Sequence, residues 1–137
     1  MNKLSGLLLV DKPLGVTSHD VIDEVRKLKF IDKAGHIGTL DPTAEGLLGV
    51  LINKATKLSQ FFVGLDKTYE IELEFGYQTN TLDQSGEIIK KADKVDISKT
   101  QIKEAVKSFQ GKITQQVPKY SAVKKNGKKL YEYAREG

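Results

Sequence analysis

The chain has 137 residues, 39% apolar and 29% charged, and a net charge of +4 from 22 basic and 18 acidic side chains. That length and composition fit one folded domain with a core of its own and exclude a disordered polypeptide. No cysteine is present and the two histidines lack a metal-ligand spacing, which excludes a disulfide framework and argues against a metal site.

The longest apolar stretch near the start, Leu7 to Val10, is too short for a signal peptide or a membrane span. The expected compartment is therefore the cytoplasm, with no membrane partner. The small charge excess does not announce nucleic acid, but its distribution is uneven. From Lys112 to Arg135 basic residues dominate, Glu132 is the single acid, and Tyr120, Tyr131 and Tyr133 are interleaved. Such a mixture suits phosphate contact and base stacking, and equally a solvated basic face.

In chain order, Gly6 to Asp11 reads as a short buried strand closed by Lys12-Pro13-Leu14-Gly15. Thr17 and Asp20 form a capping-box pattern, and Val21, Ile22, Val25 and Leu28 recur at helical spacing, which predicts a helix from Ser18 to Lys29. Leu47 to Ile52 reads as an apolar strand with Gly49 as a possible bulge. Thr56 to Val63 reads as a short helix burying Leu58, Phe61 and Phe62, stopped by Gly64.

In Lys67 to Phe75, Tyr69, Ile71, Leu73 and Phe75 alternate with Thr68, Glu70, Glu72 and Glu74, which predicts a half-buried antiparallel strand. Tyr77 to Glu87 reads as a polar loop and Ile88-Ile89 as a short edge strand. Ser98 and Gln101 form a second capping-box pattern ahead of an amphipathic helix carrying Ile102, Ala105, Val106 and Phe109, ended at Gly111. Lys112 to Val117 reads as a strand, Asn126-Gly127 as a two-residue hairpin turn, and Leu130 to Glu136 as a helix. Without regular βαβ alternation, the expected fold class is α+β, a mixed, largely antiparallel sheet with flanking helices.

The least ordinary run is Gly35-His36-Ile37-Gly38-Thr39-Leu40-Asp41-Pro42. Its glycines permit tight turns or close approach of backbone to a ligand, and Asp41, before a proline, is biased toward extended or turn conformations. A short carboxylate on such a loop, near an imidazole, suits a nucleophile or general base. Asp41-Pro42 also reads as a helix start, and His36 as a hydrogen-bonded structural histidine. Local chemistry leaves both readings open.

That run, followed by Ala44, Gly46 and Leu47, resembles the active-site motif of the bacterial tRNA pseudouridine-55 synthases, the TruB family. Further blocks fit the same family in order: Gly6 through Ser18 with Asp11-Lys12-Pro13-x-Gly15-x-Thr17-Ser18, Ala55-Thr56-Lys57-Leu58, and Lys67-Thr68-Tyr69. So do Thr79-x-Thr81-x-Asp83-x-x-Gly86, Tyr120-Ser121-Ala122-x-Lys124, and Gly127-x-x-Leu130-Tyr131-x-x-Ala134-Arg135-x-Gly137. Val117 departs from the family, which often has proline there.

The resemblance implies a pseudouridine-synthase fold, here the N-terminal portion of the catalytic domain over residues 1–137. The family's chain continues with a catalytic-site arginine, a further strand and usually a C-terminal RNA-binding domain, none of which can be placed on this sequence. Lacking that arginine, Asp41 is expected to be exposed or raised in pKa.

The implied activity is isomerisation of a T-loop uridine of tRNA, uridine 55, to pseudouridine, with no cofactor and no metal. The base is expected to be flipped from its stack. Asp41 is the implied nucleophile, Tyr69 the residue that stacks on the base, and His36 the group that fills or supports the gap it leaves. Without the resemblance, Tyr69 reads as a core tyrosine. Lys12, Lys33, Lys57 and the cluster from Lys124 to Lys129 are candidate phosphate contacts, or simply solvated lysines. The expected partner is the tRNA T-stem-loop, bound by a monomer.

Two alternatives stand beside this reading: a synthase acting on ribosomal or guided RNA, and a non-catalytic RNA-binding module of the same fold. A phosphate-binding nucleotide enzyme would need Gly-Lys-Ser/Thr at the loop, and Gly35 to Asp41 lacks it.

Overall fold

The structure is a computed structural model that describes residues 4–117, 123–130 and 132–133. The chain forms two compact units that divide between Glu72 and Leu73.

The first unit runs β1 (Gly6–Lys12), α1 (Ser18–Arg26), β2 (Ala34–His36) and β3 (Gly46–Ile52), then a 3-10 helix (Asn53–Leu58) leading into the single turn α2 (Ser59–Phe62). Its sheet has the order β1-β3-β2, antiparallel throughout. Gly6 lies opposite Ile52 and Lys12 opposite Gly46, so β1 pairs along its whole length. Leu48, Val50 and Ile52 of β3 and Ala34 of β2 face Val21 and Ile22 of α1, with Ile31 beside them; Leu8 and Val10 of β1 pack against this core. Burial of each large aliphatic there contributes about 1.5–3 kcal/mol.

On the opposite face Leu51 is buried, but Leu7, Leu9 and Leu47 are 42%, 67% and 71% exposed. The apolar run of β1 is therefore one-sided, not the fully buried strand expected from its composition. Lys12 shares the parity of Leu8 and Val10 and is driven inward with them, to 0% exposure.

The capping box at Thr17 forms as expected: the Thr17 hydroxyl accepts from the Asp20 amide at 3.0 Å and the Asp20 carboxylate accepts from the Thr17 amide at 2.7 Å. α1 stops at Arg26, short of Lys29. The chain turns at Leu28, whose carbonyl accepts from the Ile31 amide, and Ile31 takes the core place that Leu28 was expected to fill.

Asn53 ends β3 with a positive φ of 52° and joins three segments. Its Oδ1 accepts from the amides of Asp32 (2.8 Å) and Lys33 (3.3 Å), and its Nδ2 donates to the carbonyls of Leu4 (2.6 Å) and Phe30 (2.9 Å). Gly49 is not a bulge. It stays in register opposite Leu9, and the space a side chain would need is taken by Ile37, whose Cδ1 would sit 2.5 Å from an added Cβ.

The expected helix at Thr56 begins instead at Asn53 as 3-10 and becomes α-helical for one turn, and Leu58 and Phe61 stay exposed rather than buried. Lys67 to Phe75 does not pair: the segment carries no ladder among the described residues, and Tyr69, Ile71, Leu73 and Phe75 are all exposed. Alternation encodes a face to be covered, but a strand also needs a partner backbone.

In the second unit, β4 (Tyr77–Thr79) and β5 (Ile88–Lys91) form an antiparallel hairpin with a register shift at Gln78/Thr79. The expected polar loop is thus shortened to its tip, and the expected edge strand is β5. At that tip Asp83 accepts from the hydroxyls of Thr81 and Ser85 and from the Ser85 amide, which holds its carboxyl below the ordinary value, chiefly through Ser85.

Ser98 and Gln101 cap α3 (Lys99–Lys107) as predicted, yet Val106 and Phe109 remain exposed. None of this unit's described hydrophobic residues is buried. No strand forms over 112–117. β6 (Lys124–Lys125) and β7 (Lys128–Lys129) flank Asn126 and Gly127, whose φ values of 53° and 82° are those of the expected hairpin turn. Tyr120, Ser121, Ala122, Tyr131, Ala134, Arg135 and Gly137 lie outside the described residues, so the helix expected over 130–136 is seen only at Leu130, Glu132 and Tyr133. Among the described residues no helix is long and apolar enough to cross a membrane.

Candidate active site

The run from β2 to β3 carries the glycine-histidine-aspartate segment. At its start Ile37 folds over Gly49, its amide donating to the Gly49 carbonyl at 3.0 Å. His36 is half-buried, and its Nδ1 lies 2.7 Å from the Gly38 carbonyl oxygen. A carbonyl only accepts, so Nδ1 carries the proton and Nε2 holds the lone pair in the neutral ring.

Asp41 does not start a helix. The Ala44 amide donates to the Asp41 carbonyl at 3.0 Å, closing a turn with Pro42 in the second position, where its fixed φ is favoured. The Leu40 amide donates to Ser18 Oγ and the Ser18 hydroxyl donates to the Leu40 carbonyl, both at 2.9 Å. The Gly15 amide donates to the Pro42 carbonyl at 2.8 Å. Leu40 is thereby tied to the first residue of α1 and Pro42 to the turn before it, while Asp41 itself is exposed.

That turn is held in its own right. The buried Lys12 ammonium donates to the carbonyls of Pro13 (3.0 Å) and Val16 (2.8 Å). At the N-terminus of α1, the Thr17 hydroxyl and amide beside Asp20 hold its carboxyl below the ordinary value.

Beside the loop lies a cavity of about 470 Å³, lined in part by Leu9, Leu47 and Gly49 of the sheet. Ile37 to Leu40 form one side, and Phe62, Leu65 and 66–69 the other. Gly38 takes up no positive φ, and a Cβ there would meet only Lys67 Cε at an ordinary 3.9 Å. A glycine that its own fold does not require suits close approach by a ligand. Tyr69 lines the same cavity and is 59% exposed. Apolar walls with a few polar groups and two aromatic rings, Phe62 and Tyr69, fit a flat heterocycle better than a free ion.

Residues 26–137 match the family described as TruB family pseudouridylate synthase (N terminal domain). The chain belongs to that family. A Caldicellulosiruptor saccharolyticus protein named tRNA pseudouridine synthase B is 52% identical over 134 residues, 98% of this chain and 46% of the relative. The Bacillus subtilis protein of the same name is 46% identical, covering 98% of this chain and 44% of the relative. A solved structure titled as a Cbf5-Nop10-Gar1 complex superposes with a TM-score of 0.58 at 30% identity, over 89% of this chain and 31% of the solved one. The chain spans about half the length of the curated relatives it matches.

Within this TruB-family chain, Leu40 and Thr39 bring the Asp41 loop to the same cavity as Tyr69. His36 and Asp41 do not themselves line it. Lys33 and Lys57 are exposed in the first unit and Lys124 in the second, where each can meet a phosphate. Lys12 is corrected: its ammonium is turned inward onto two carbonyls and has no surface on which to meet one.

Sequence reading missed Ser18 as the partner of Leu40 and Asn53 as a junction. Asn directly after an apolar strand was the available signal for the left-handed conformation at residue 53.

Proposed function

We propose that this chain is the N-terminal part of a tRNA pseudouridine synthase that isomerises a T-loop uridine, uridine 55, in the cytoplasm, acting as a single chain without a cofactor. The observation that carries the reading is the TruB-family match together with Asp41, an exposed carboxylate on a pinned loop whose neighbours share a cavity with Tyr69.

In this reading the uridine leaves its stack and its base enters the cavity against the Tyr69 ring. Asp41 is the nucleophile toward the ribose or the uracil ring. The N1–C1′ bond breaks, the uracil turns, and a C5–C1′ bond forms. The proton on C5 is lost to solvent and one is taken up at N1, so the isomerisation balances without a redox partner. His36 supports the gap left by the base, and Lys33, Lys57 and Lys124 neutralise phosphates.

The test is tritium release from a T-stem-loop RNA labelled at uracil C5, using this chain extended to the length of its curated relatives. Release by the parent and none by Asp41→Asn, with RNA binding retained, is expected. Binding without release by the parent would favour the non-catalytic module instead. Release from ribosomal RNA fragments but not from the T-stem-loop would overturn the tRNA assignment.

A further inference from the structure

We infer that Ser18 is a positioning residue for the Asp41 carboxylate, setting the backbone on which that carboxylate is presented. The inference rests on the reading of Asp41 as nucleophile. Ser18 is only 2% exposed and opens α1, yet its hydroxyl takes no part in capping, because Thr17 performs that task through Asp20. Instead the Ser18 hydroxyl spends its donor and an acceptor on Leu40, 22 residues away.

The geometry around Asp41 gives those two bonds their purpose. The Leu40 carbonyl belongs to the peptide plane that enters Asp41, and Ser18 holds it. The Asp41 carbonyl belongs to the plane that leaves it, and the Ala44 amide holds that one. Fixing both planes fixes φ and ψ at Asp41, so its exposed carboxylate retains only side-chain freedom. Gly15 secures the next plane through the Pro42 carbonyl. With its backbone pinned but its side chain exposed, Asp41 is presented in one place without being buried.

Removing the Ser18 hydroxyl frees the entering plane and leaves two polar groups of Leu40 without partners. A displacement near one ångström at a reacting group costs about a hundredfold in rate, so Ser18→Ala is expected to lower kcat roughly tenfold to a hundredfold. KM for the T-stem-loop should stay within about twofold, because no phosphate or base contact is lost. Ser18→Thr, which keeps the hydroxyl, should recover most of kcat.

The experiment compares parent, Ser18→Ala, Ser18→Thr and Thr17→Ala in the chain extended to the relatives' length. Tritium release gives kcat and KM, and hydrogen exchange follows the Leu40 amide. Thr17→Ala loosens the helix cap while leaving the Ser18 hydroxyl, so it should reduce stability without the kcat loss. The expected pattern is loss of Leu40 protection and of kcat in Ser18→Ala alone, with amides of β1 and β3 still protected.

Retained Leu40 protection, an unchanged kcat, or a kcat loss matched by Thr17→Ala would each overturn the inference. If the parent releases no tritium, the synthase reading fails by itself, and Leu40 exchange still decides whether Ser18 holds the loop.

Discussion

Replacing Asn53 by alanine should be the most damaging single change outside the aliphatic core. The side chain, in a residue only 9% exposed, makes four hydrogen bonds to backbone, three of them at 2.9 Å or less. At about 1 kcal/mol net for each of the three short bonds, their loss costs about 3 kcal/mol. Alanine must also hold the positive φ of 52°, which asparagine tolerates better, for about 1 kcal/mol more.

The total of about 4 kcal/mol is a large part of the 5–15 kcal/mol by which domains are stable. Urea unfolding followed by circular dichroism measures it as a lower midpoint at unchanged slope. Asn53→Gly separates the contributions: it loses the same bonds but accepts the positive φ, so it should be about 1 kcal/mol more stable than Asn53→Ala. An alanine variant within 1 kcal/mol of the parent, or a glycine variant less stable than alanine, would refute the reasoning.

Other expected outcomes are simpler. Gly49→Ala forces Ile37 from its place over the sheet and should cost about 1–3 kcal/mol, read by thermal unfolding. Lys12→Met should lower stability by leaving the Pro13 and Val16 carbonyls unpaired, yet leave the salt dependence of RNA binding unchanged. Removing Lys33, Lys57 or Lys124, where it meets a phosphate, should instead lower the salt slope by about one. The Asp83 carboxyl titrates below its ordinary value in the fold, so its hydrogen bonds stabilise above the unfolded-state value and that stabilisation is lost as pH falls through the folded one. Ser85→Ala should move the Asp83 titration upward in carbonyl-detected NMR.

What the sequence made legible were the features whose partners are close along the chain. Thr17 with Asp20, Ser98 with Gln101, and Asn126 with Gly127 each act across three residues or fewer, and each forms as read. Reading failed where the deciding partner is distant. The alternation of 67–75 and the apolar face of α3 announced surfaces without saying what covers them. The Ser18–Leu40 pair spans 22 residues and Asn53–Leu4 spans 49, and neither spacing leaves a local trace. Lys12 is a different failure, because its parity with Leu8 and Val10 was visible and its charge drew the wrong conclusion. Asp41, Tyr69 and the loop between β2 and β3 stood out through the long motif rather than through local pattern.

The unpaired stretch from Lys67 to Phe75 also bears on how the chain behaves in solution. Tyr69, Ile71, Leu73 and Phe75 are exposed, and so are Glu70, Glu72 and Glu74 that alternate with them in sequence. A stretch of alternating apolar residues without a ladder among the described residues invites pairing with a second copy, and the interleaved carboxylates resist it. Their mutual repulsion is screened within about 10 Å at 0.1 M salt and within about 3 Å at 1 M. Light scattering from the chain should therefore rise with ionic strength, and Glu72→Gln should move that onset to lower salt. Three glutamates interleaved with four exposed apolar side chains thus set the salt at which self-association begins.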